Sequence, residues 1–504
     1  MVLTKRDAIN KRITSTNKIL LITATGVLFL LFPIVISIVD PIPMAANYLL
    51  RVANGSIVYD LIQHEMPAAE LSLYLFNITN ADRFLSGEDD KLKVEEVGPF
   101  VYQEYRWYVD VELSEDGREL GMTPRARKEF MPEASIGHPK DIILTVPNLP
   151  LLSGASILSN YPSFIHTAFN MVVAQLGEKA FMQLDVEKYL TGFESRVMKI
   201  CNSLAPGIIY YDDFGLLNRF YDNESDYRVV VGATNEDRFK IKSVKKFRKI
   251  QLGNIKDVEV SEQTFEEDTY EGALYPPMLT PDMPINWYRL GICKTFNLQY
   301  LETRGMHYGG EALIYTISNE TFSASVNPIN RKPYPNGVQD ISECYFGLPF
   351  VISKSHYLDC DPKLYERIEG IKPNREQHST EIIIDRKLSV MYNTKMSIQL
   401  TMMLDDLSFS WQNRMLSHAV VPVVNVVVNQ PKLTEWVQSK LVLVYQVAPY
   451  IVMTIQAVSA LLGILLVVHA ARLQYLNYIS KNRTIVFETV DENILKSELP
   501  LIPK

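Results

Sequence analysis

The sequence predicts two transmembrane helices flanking one large, mostly-β domain. Three observations carry this. Leu441 to Ala471 runs thirty-one residues without a Lys, Arg, Asp or Glu, and Ile19 to Val39 runs twenty-one. Between them the chain breaks into short apolar runs punctuated by Pro, Gly and Asn, the pattern of strands and turns.

A bilayer core about 30 Å thick takes about 20 apolar helical residues, so both stretches are long enough to span it. Lys5, Arg6, Lys11, Arg12 and Lys18 precede the first, and Arg472, Lys481 and Arg483 follow the second. Such positive flanks mark the cytosolic side at both ends. The N-terminal stretch also looks like a signal peptide, but its apolar run exceeds the usual length of about 7–15 residues, and Asp40-Pro41-Ile42-Pro43 replaces a small-x-small cleavage site. An uncleaved helix, kinked at Pro33, is expected. The layout is then a cytosolic N-terminus (1–18), a first span (19–39), a glycosylated lumenal or extracellular domain (40–447), a second span (448–471) and a cytosolic tail (472–504).

After the first span, Met44 to Tyr59 has the mixed pattern of a short helix. Leu71 to Ile78 alternates as a strand with Leu71, Leu73 and Leu75 on one face, and Val94 to Tyr108 has the same look, broken by Gly98-Pro99. Thr123 to Pro132 is polar and Pro-bounded, and Asp141 to Val146 is a short strand. Pro162 stands near a helix start, with Ile165, Phe169, Val172, Val173 and Leu176 at three- and four-residue spacing up to Gly177. That stripe extends back through Leu158 and Tyr161. It suits either a helix packed on its own domain or a partly exposed face that touches ligand. Val186 to Phe193 is a second helical piece. Strands are expected at Tyr227–Gly232, Phe239–Ile250, Ala312–Ile317, Pro349–Ser353, Glu381–Ile384, Leu388–Met391, Lys395–Met403 and Ala419–Val428, with a loop from Pro328 to Gly337. No repeat and no Gly/Ser/Pro-rich linker interrupts the domain.

The net charge is −8, and the first eighteen residues are basic, so the domain between the spans is more acidic than the whole. An acidic domain argues against nucleic acid as a partner. Four cysteines, Cys201, Cys293, Cys344 and Cys360, fall in that domain and permit two disulfides in three pairings. Local spacing favours Cys344 with Cys360, which leaves Cys201 with Cys293. Sequons stand at Asn54, Asn77, Asn223 and Asn319, and a fifth at Asn482 falls on the cytosolic side. Nucleophile elbows, zinc-protease helices, P-loops and dinucleotide fingerprints are missing, and the histidines are scattered, so neither an enzyme nor a cofactor is expected. Asp89-Asp90 and Asp405-Asp406 suit solvated loops. The densest charge feature is Arg238 to Lys249, whose basic residues are interleaved with Phe239, Ile241, Phe247 and Ile250. It suits a wet strand face, or a contact for anionic particles and headgroups through residues such as Lys245 and Lys246.

Several local strings resemble the class B scavenger receptor family, whose branches include fatty-acid translocases, lysosomal integral membrane proteins of type two and sensory-neuron membrane proteins. Glu96-Val97-Gly98-Pro99-Phe100-Val101-Tyr102 is one. Others are Lys179-Ala180-Phe181 leading to Tyr189-Leu190-Thr191-Gly192-Phe193, and Gly291-Ile292-Cys293-Lys294. Asp340-Ile341-Ser342-Glu343-Cys344 precedes Ser355-His356-Tyr357-Leu358, and Ile371-Lys372-Pro373-Asn374 precedes His378. Five such strings in order between two spans identify a divergent member. Thr191 stands where the family has Trp, and Asp385-Arg386-Lys387-Leu388 replaces a Pro-Gly turn. The resemblance implies an antiparallel β-barrel-like core, an apical helical bundle and an apolar tunnel leading toward the membrane. It implies fatty acids, sterols, phospholipids, carotenoids or lipoprotein particles as ligands, or a lumenal protein cargo in the lysosomal branch. Leu158, Tyr161, Ile165, Phe169, Val172, Leu176 and Lys179 would then face ligand at the apex. The tail ends Ser497-Glu498-Leu499-Pro500-Leu501-Ile502, which is similar to an acidic dileucine sorting signal with its acid one position too close. The plasma membrane is the expected location, with endosome or lysosome as the alternative.

Overall fold

The structure, a computed structural model, describes residues 15–497 except 205–212, 218–220, 222–226, 253–254, 266, 324, 328–329, 346, 431–432 and 434. It divides into a membrane unit, Met1–Ala46 with Gln438–Lys504, and a central unit, Asn47–Val437.

Thr16–Val39 and Ala448–Ser497 form the membrane unit. Both expose apolar side chains, such as Leu28, Ile38, Tyr450 and Leu465, as helices do when hydrocarbon is their solvent. They run antiparallel: Gly26 lies against Gly463, Phe29 against Ser459, and Pro33 with Ser37 against Gln456. The glycines set the approach. A Cβ on Gly463 would stand 2.9 Å from the Gly26 carbonyl oxygen and 2.8 Å from Leu30 Cγ. Small residues at a crossing let backbones touch, which matters where no hydrophobic force drives association. Pro33 lacks the N–H that would bond the Phe29 carbonyl. Ser459 Oγ donates to that same carbonyl at 2.9 Å. Gln456 Nε2 donates to Pro33 O at 3.3 Å and to Ser37 Oγ at 3.0 Å. The second helix is entered through a π-type turn, Leu443–Val447, and continues past the expected end of the span to Ser497.

In the central unit, one large antiparallel sheet curls into a half-barrel. Its middle is Met66–Ile78, flanked by Leu92–Leu113 and Val420–Asn429. Beyond Leu92–Leu113 come Glu119–Phe130, Tyr227–Gly232, Ile241–Leu252 and Ile255–Thr264; beyond Val420–Asn429 come Lys395–Met403, Phe350–Lys354 and Val338–Asp340. Leu71, Leu73 and Leu75 are buried on one face as the alternation requires. Opposite Tyr74 the register shifts to admit Gly98-Pro99. A Cβ on Gly98 would lie 2.6 Å from the Leu73 carbonyl oxygen, so only glycine fits this approach. A second sheet runs Thr269–Tyr270, Ile285–Arg289, Lys294–Gly305, Glu311–Ile317 and Ile382–Asp385.

The polar, Pro-bounded stretch from Thr123 belongs to the strand Glu119–Phe130, where Pro124 sits across from Tyr108 beside a register shift; prolines are tolerated at such irregularities. Two expectations need correction. Leu388–Met391 is a turn with isolated bridges instead of a strand. Asp385 Oδ1 caps it by accepting from Lys387 N at 3.0 Å and Leu388 N at 2.7 Å. The favoured disulfide pairing is also overturned. Cys293 joins Cys344 with Cα atoms 5.7 Å apart, and Cys360 is free. Closeness in sequence misled because Phe350–Lys354 carries the chain away from Cys344 before Cys360 is reached. The Cys360 thiol donates to Gly337 O at 3.2 Å, and burial pushes it up to about 12, which leaves it inert. Cys201 lies on the helix Arg196–Leu204, with its side chain outside the described residues.

Two outcomes are expected. Ser459→Ala leaves the Phe29 carbonyl unpaired and should weaken helix pairing by about 0.6–1.7 kcal/mol, read as a lower unfolding midpoint of the full chain in detergent. Non-reducing peptide mapping should recover Cys293 linked to Cys344 and a Cys360 that alkylates only after denaturation. Reducing that bridge, which spans a separation of 51 residues, should cost about 4 kcal/mol on chain-entropy grounds.

Candidate functional site

Three of the strings singled out in the sequence meet at one partly buried polar cluster. His356 Nε2 lies 3.0 Å from Glu96 Oε1, and Asn425 Nδ2 donates to the same oxygen at 2.9 Å. The His378 ring stacks on His356 at 4.1 Å. Backbone N–H groups fix both tautomers: Lys372 N donates to His356 Nδ1 at 3.3 Å, and Asn374 N to His378 Nδ1 at 3.0 Å. Burial alone would push the Glu96 carboxyl up, but the bonds from His356 and Asn425 hold it below the usual range. His378 is pushed down to about 4 by burial and then by His356. The cluster therefore joins Leu92–Leu113, the 355–357 turn and Val420–Asn429. Its role is to position.

Two helices, Leu149–Leu158 and Ser163–Leu176, are built from the next segment. Asn148 caps Leu149–Leu158 by accepting from Leu151 N at 3.3 Å. Leu149, Leu151, Leu152 and Ala155 are fully buried, so this helix is a core element. Ser156 Oγ receives Asp405 N at 2.9 Å, and Asp405 also accepts from Asn327 Nδ2 at 3.1 Å. Asp405 is thus a buried anchor, not the solvated loop charge expected, and burial raises its carboxyl. Asp406 is exposed and accepts from Ser417.

The second helix, Ser163–Leu176, stops at Gly177 in the left-handed region. Asn170 turns inward and holds the 409–411 loop, donating to Phe409 O at 2.8 Å and accepting from Trp411 N at 3.1 Å. His166 stacks on Phe409 at 3.9 Å. The expected stripe of Leu158, Ile165, Phe169, Val172 and Leu176 lies on this turn and helix, half-buried against its own unit. Tyr161 and Lys179 are exposed at its two ends. The outward apolar groups are instead Phe164, 69% exposed, and Met171, 60% exposed, with Trp411, 63% exposed, on the loop that Asn170 holds. Phe164 and Met171 are seven apart, two helical turns, and a second apolar edge beside the first was the available signal. Trp411 gave none.

Lys245 and Lys246 do not join this group. They lie on Ile241–Leu252, whose neighbour Ile255–Thr264 brings Glu262 opposite Lys245, 3.8 Å from its Nζ. Lys246 sits over the Tyr227 ring at 5.8 Å. Lys240 and Lys242 pair with Asp268 and Asp237, and Arg238 is fully buried. Among the described side chains of the basic run, Lys240, Lys242 and Lys245 therefore stand beside carboxylates. Among the sequons, Asn54 and Asn319 are exposed, while Asn77 is half-buried in Met66–Ile78 and accepts from Thr145 N at 2.9 Å. Asn223 and the Leu501-Ile502 pair lie outside the described residues. Among the described residues no group of His, Cys, Asp or Glu could hold a metal ion.

A large curled sheet with its packed helices in one unit, and two antiparallel apolar spans in the other, mark a double-pass membrane protein. The profile of the CD36 family matches residues 20–474, and the chain belongs to that family. Its relatives include scavenger receptor class B member 1 of Bos taurus, 25% identical over 407 residues covering 79% of this chain and 78% of the relative. The Mus musculus protein of the same description is 26% identical over 408 residues, with the same coverage. Lysosome membrane protein 2 of Homo sapiens is 26% identical over 344 residues, 66% of this chain and 68% of the relative. As a CD36-family chain it is a binding and transport protein rather than an enzyme.

The histidine pair gives a pH expectation. A histidine whose folded pKa lies below its unfolded value of about 6.5 contributes fully above that value and loses its contribution as pH falls toward about 4. The unfolding midpoint should therefore drop between pH 6.5 and 4, and His378→Gln should flatten that drop in a pH series of thermal melts. The partial exposure of His378 keeps the effect modest.

Proposed function

We propose that this protein is a cell-surface scavenger-type receptor that binds lipids or lipoprotein particles at its apical helices and passes hydrophobic ligand through an internal tunnel to the membrane. The observation that carries the reading is the outward apolar set of Tyr161, Phe164, Met171 and Trp411 on a helix and loop held rigidly from beneath by Asn170. A soluble surface rarely leaves such a patch uncovered without a partner. Family membership and the scavenger-receptor relatives supply the class of ligand. Fatty acids, sterols, phospholipids and carotenoids all gain by about 25 cal/mol for each Å² removed from water, and transfer down a concentration gradient needs no nucleotide site. The half-buried stripe of Ile165, Phe169, Val172 and Leu176 backs the patch, and Lys179 offers one cation beside it. Both termini are assigned to the cytosol from the basic flanks, with glycans on Asn54, Asn77, Asn223 or Asn319. The plasma membrane is the assigned location.

Exposed aromatics also favour one second reading. Trp and Tyr are enriched at the energetic centres of protein interfaces, so the same patch suits a lumenal protein cargo in an endosomal or lysosomal member.

A paired substitution Phe164→Asp, Met171→Asp separates these roles from the basic strand. Each apolar side chain contributes about 1.5–3 kcal/mol when fully covered. Capture of labelled lipoprotein by cells displaying the variant should fall at least tenfold at equal surface expression. Charge reversal of Lys245 and Lys246 should produce a smaller loss, confined to low salt because exposed charges are screened. Undiminished capture by the Asp pair would discard the apical assignment, and loss of a bound protein with lipid capture intact would favour the cargo reading.

A further inference from the structure

The chain between the first span and the large sheet carries an apolar surface that the fold leaves uncovered. Its two helices are Pro41–Leu49 and Ile57–Ile62, joined by a turn in which Ser56 N donates to Ala53 O at 2.9 Å. Ser56 Oγ also caps the second helix, accepting from Tyr59 N at 3.2 Å. Val52 and Val58 are buried in one core cluster with Leu120 and Val229. Tyr59 OH donates to Val111 O at 2.9 Å. The segment is thus fixed to the strands beneath it.

What it leaves outside is apolar. Tyr48, Leu49, Ile57 and Leu61 each keep between 45% and 63% of their surface uncovered. Successive helical residues turn by about 100°, so Ile57 and Leu61 share one edge of their helix. Val58 and Ile62 share the core-facing edge, and Asp60 and Gln63 a third, polar one. Arg51 lies over the Tyr48 ring, 3.8 Å from its centroid, and pairs with no carboxylate among the described residues. An aliphatic edge, a tyrosine and a cation on an apolar stem are the side chains that the water–hydrocarbon boundary favours. The chain also keeps them close to that boundary. Only Asp40, at φ 41, separates Thr16–Val39 from Pro41–Leu49. A helix rises about 1.5 Å per residue, so Tyr48 can lie no more than about 15 Å beyond Val39. The headgroup layer takes up about 5–8 Å of that distance.

We propose that Tyr48, Leu49, Ile57 and Leu61 form an interfacial lipid contact, seated where headgroups meet acyl chains in the leaflet next to the central unit. The bilayer is the occupant because this surface continues directly from a membrane span and cannot leave it by more than the tether allows. Arg51 then stands at phosphate depth, where a guanidinium gains a charge-assisted bond. The contact gives the central unit a hold on the membrane apart from the two spans, and it does not depend on the tunnel. Asn54 stands on the connecting turn, three positions before Ile57. A large polar glycan there would hold the surface off the bilayer, so this sequon is expected to stay unfilled.

The test uses full-length protein in phosphatidylcholine nanodiscs that contain a phosphatidylcholine with a diazirine either near the acyl carbonyl or at the chain end. After irradiation, label is quantified peptide by peptide. Residues 47–62 should take the shallow probe about fivefold more than the deep one, while Thr16–Val39 takes both. Ile57→Asp with Leu61→Asp should cut shallow labelling of 47–62 by about fivefold and leave the span unchanged. Labelling of 47–62 by neither probe, whether water or another protein covers it, overturns the proposal. Equal labelling by both puts the segment in the hydrocarbon core and overturns it too. So does a double variant labelled like the unaltered protein, or a fully occupied glycan at Asn54. Should the double variant not mature, the ratio of the two probes on the unaltered protein decides alone.

Discussion

Glu96 is a partly exposed carboxylate on a strand near the middle of the large sheet, and its two bonds hold two buried side chains from distant segments, His356 and Asn425. Asn425 reaches it from Val420–Asn429, and His356 reaches it from a turn where His356 and Tyr357 both adopt positive φ. Non-glycine residues in that region carry a conformational cost and persist only where surrounding contacts fix them. Here the contacts are specific: Gln399 Oε1 accepts from His356 N at 2.9 Å, and Tyr357 OH meets Thr401 Oγ1 at 3.0 Å. Removing Glu96 would leave His356 and Asn425 as unpaired buried polar groups, which costs more than the bonds themselves contribute. The half-barrel is thereby held in one register across its centre.

The sequence was most informative where a single physical requirement acts on many consecutive residues. The spans follow from uncharged length alone, and Leu71, Leu73 and Leu75 follow from the pleat. It was least informative where meaning depends on a neighbour across space. Ile255–Thr264 was missed because a charged edge strand alternates weakly, although edge strands are commonly protected in this way. Asp405 was read as solvent-facing because Ser156, its partner, lies 249 positions away. At Ser163–Leu176 the helix was legible and its outward face was not. The wider stripe through Phe169 is the side that Phe409 and the 409–411 loop half cover, leaving Phe164 and Met171 to face out.

The membrane unit extends the same reasoning into a different solvent. A lone anchor needs only apolar length, and hydrocarbon is indifferent to which apolar residue stands where. Pro33 breaks that indifference, because it frees a carbonyl that lipid cannot satisfy. The answer comes from the far end of the chain: Ser459 supplies the missing donor, and Gly26 and Gly463 bring the backbones near enough for so short a side chain to reach. Gln456, one helical turn before Ser459, takes the next carbonyl in line, that of Pro33 itself. Four positions on two helices are thus coupled by one proline, and the first span is stable as drawn only in the presence of the second. Both ends of the chain therefore act as one paired element in the bilayer.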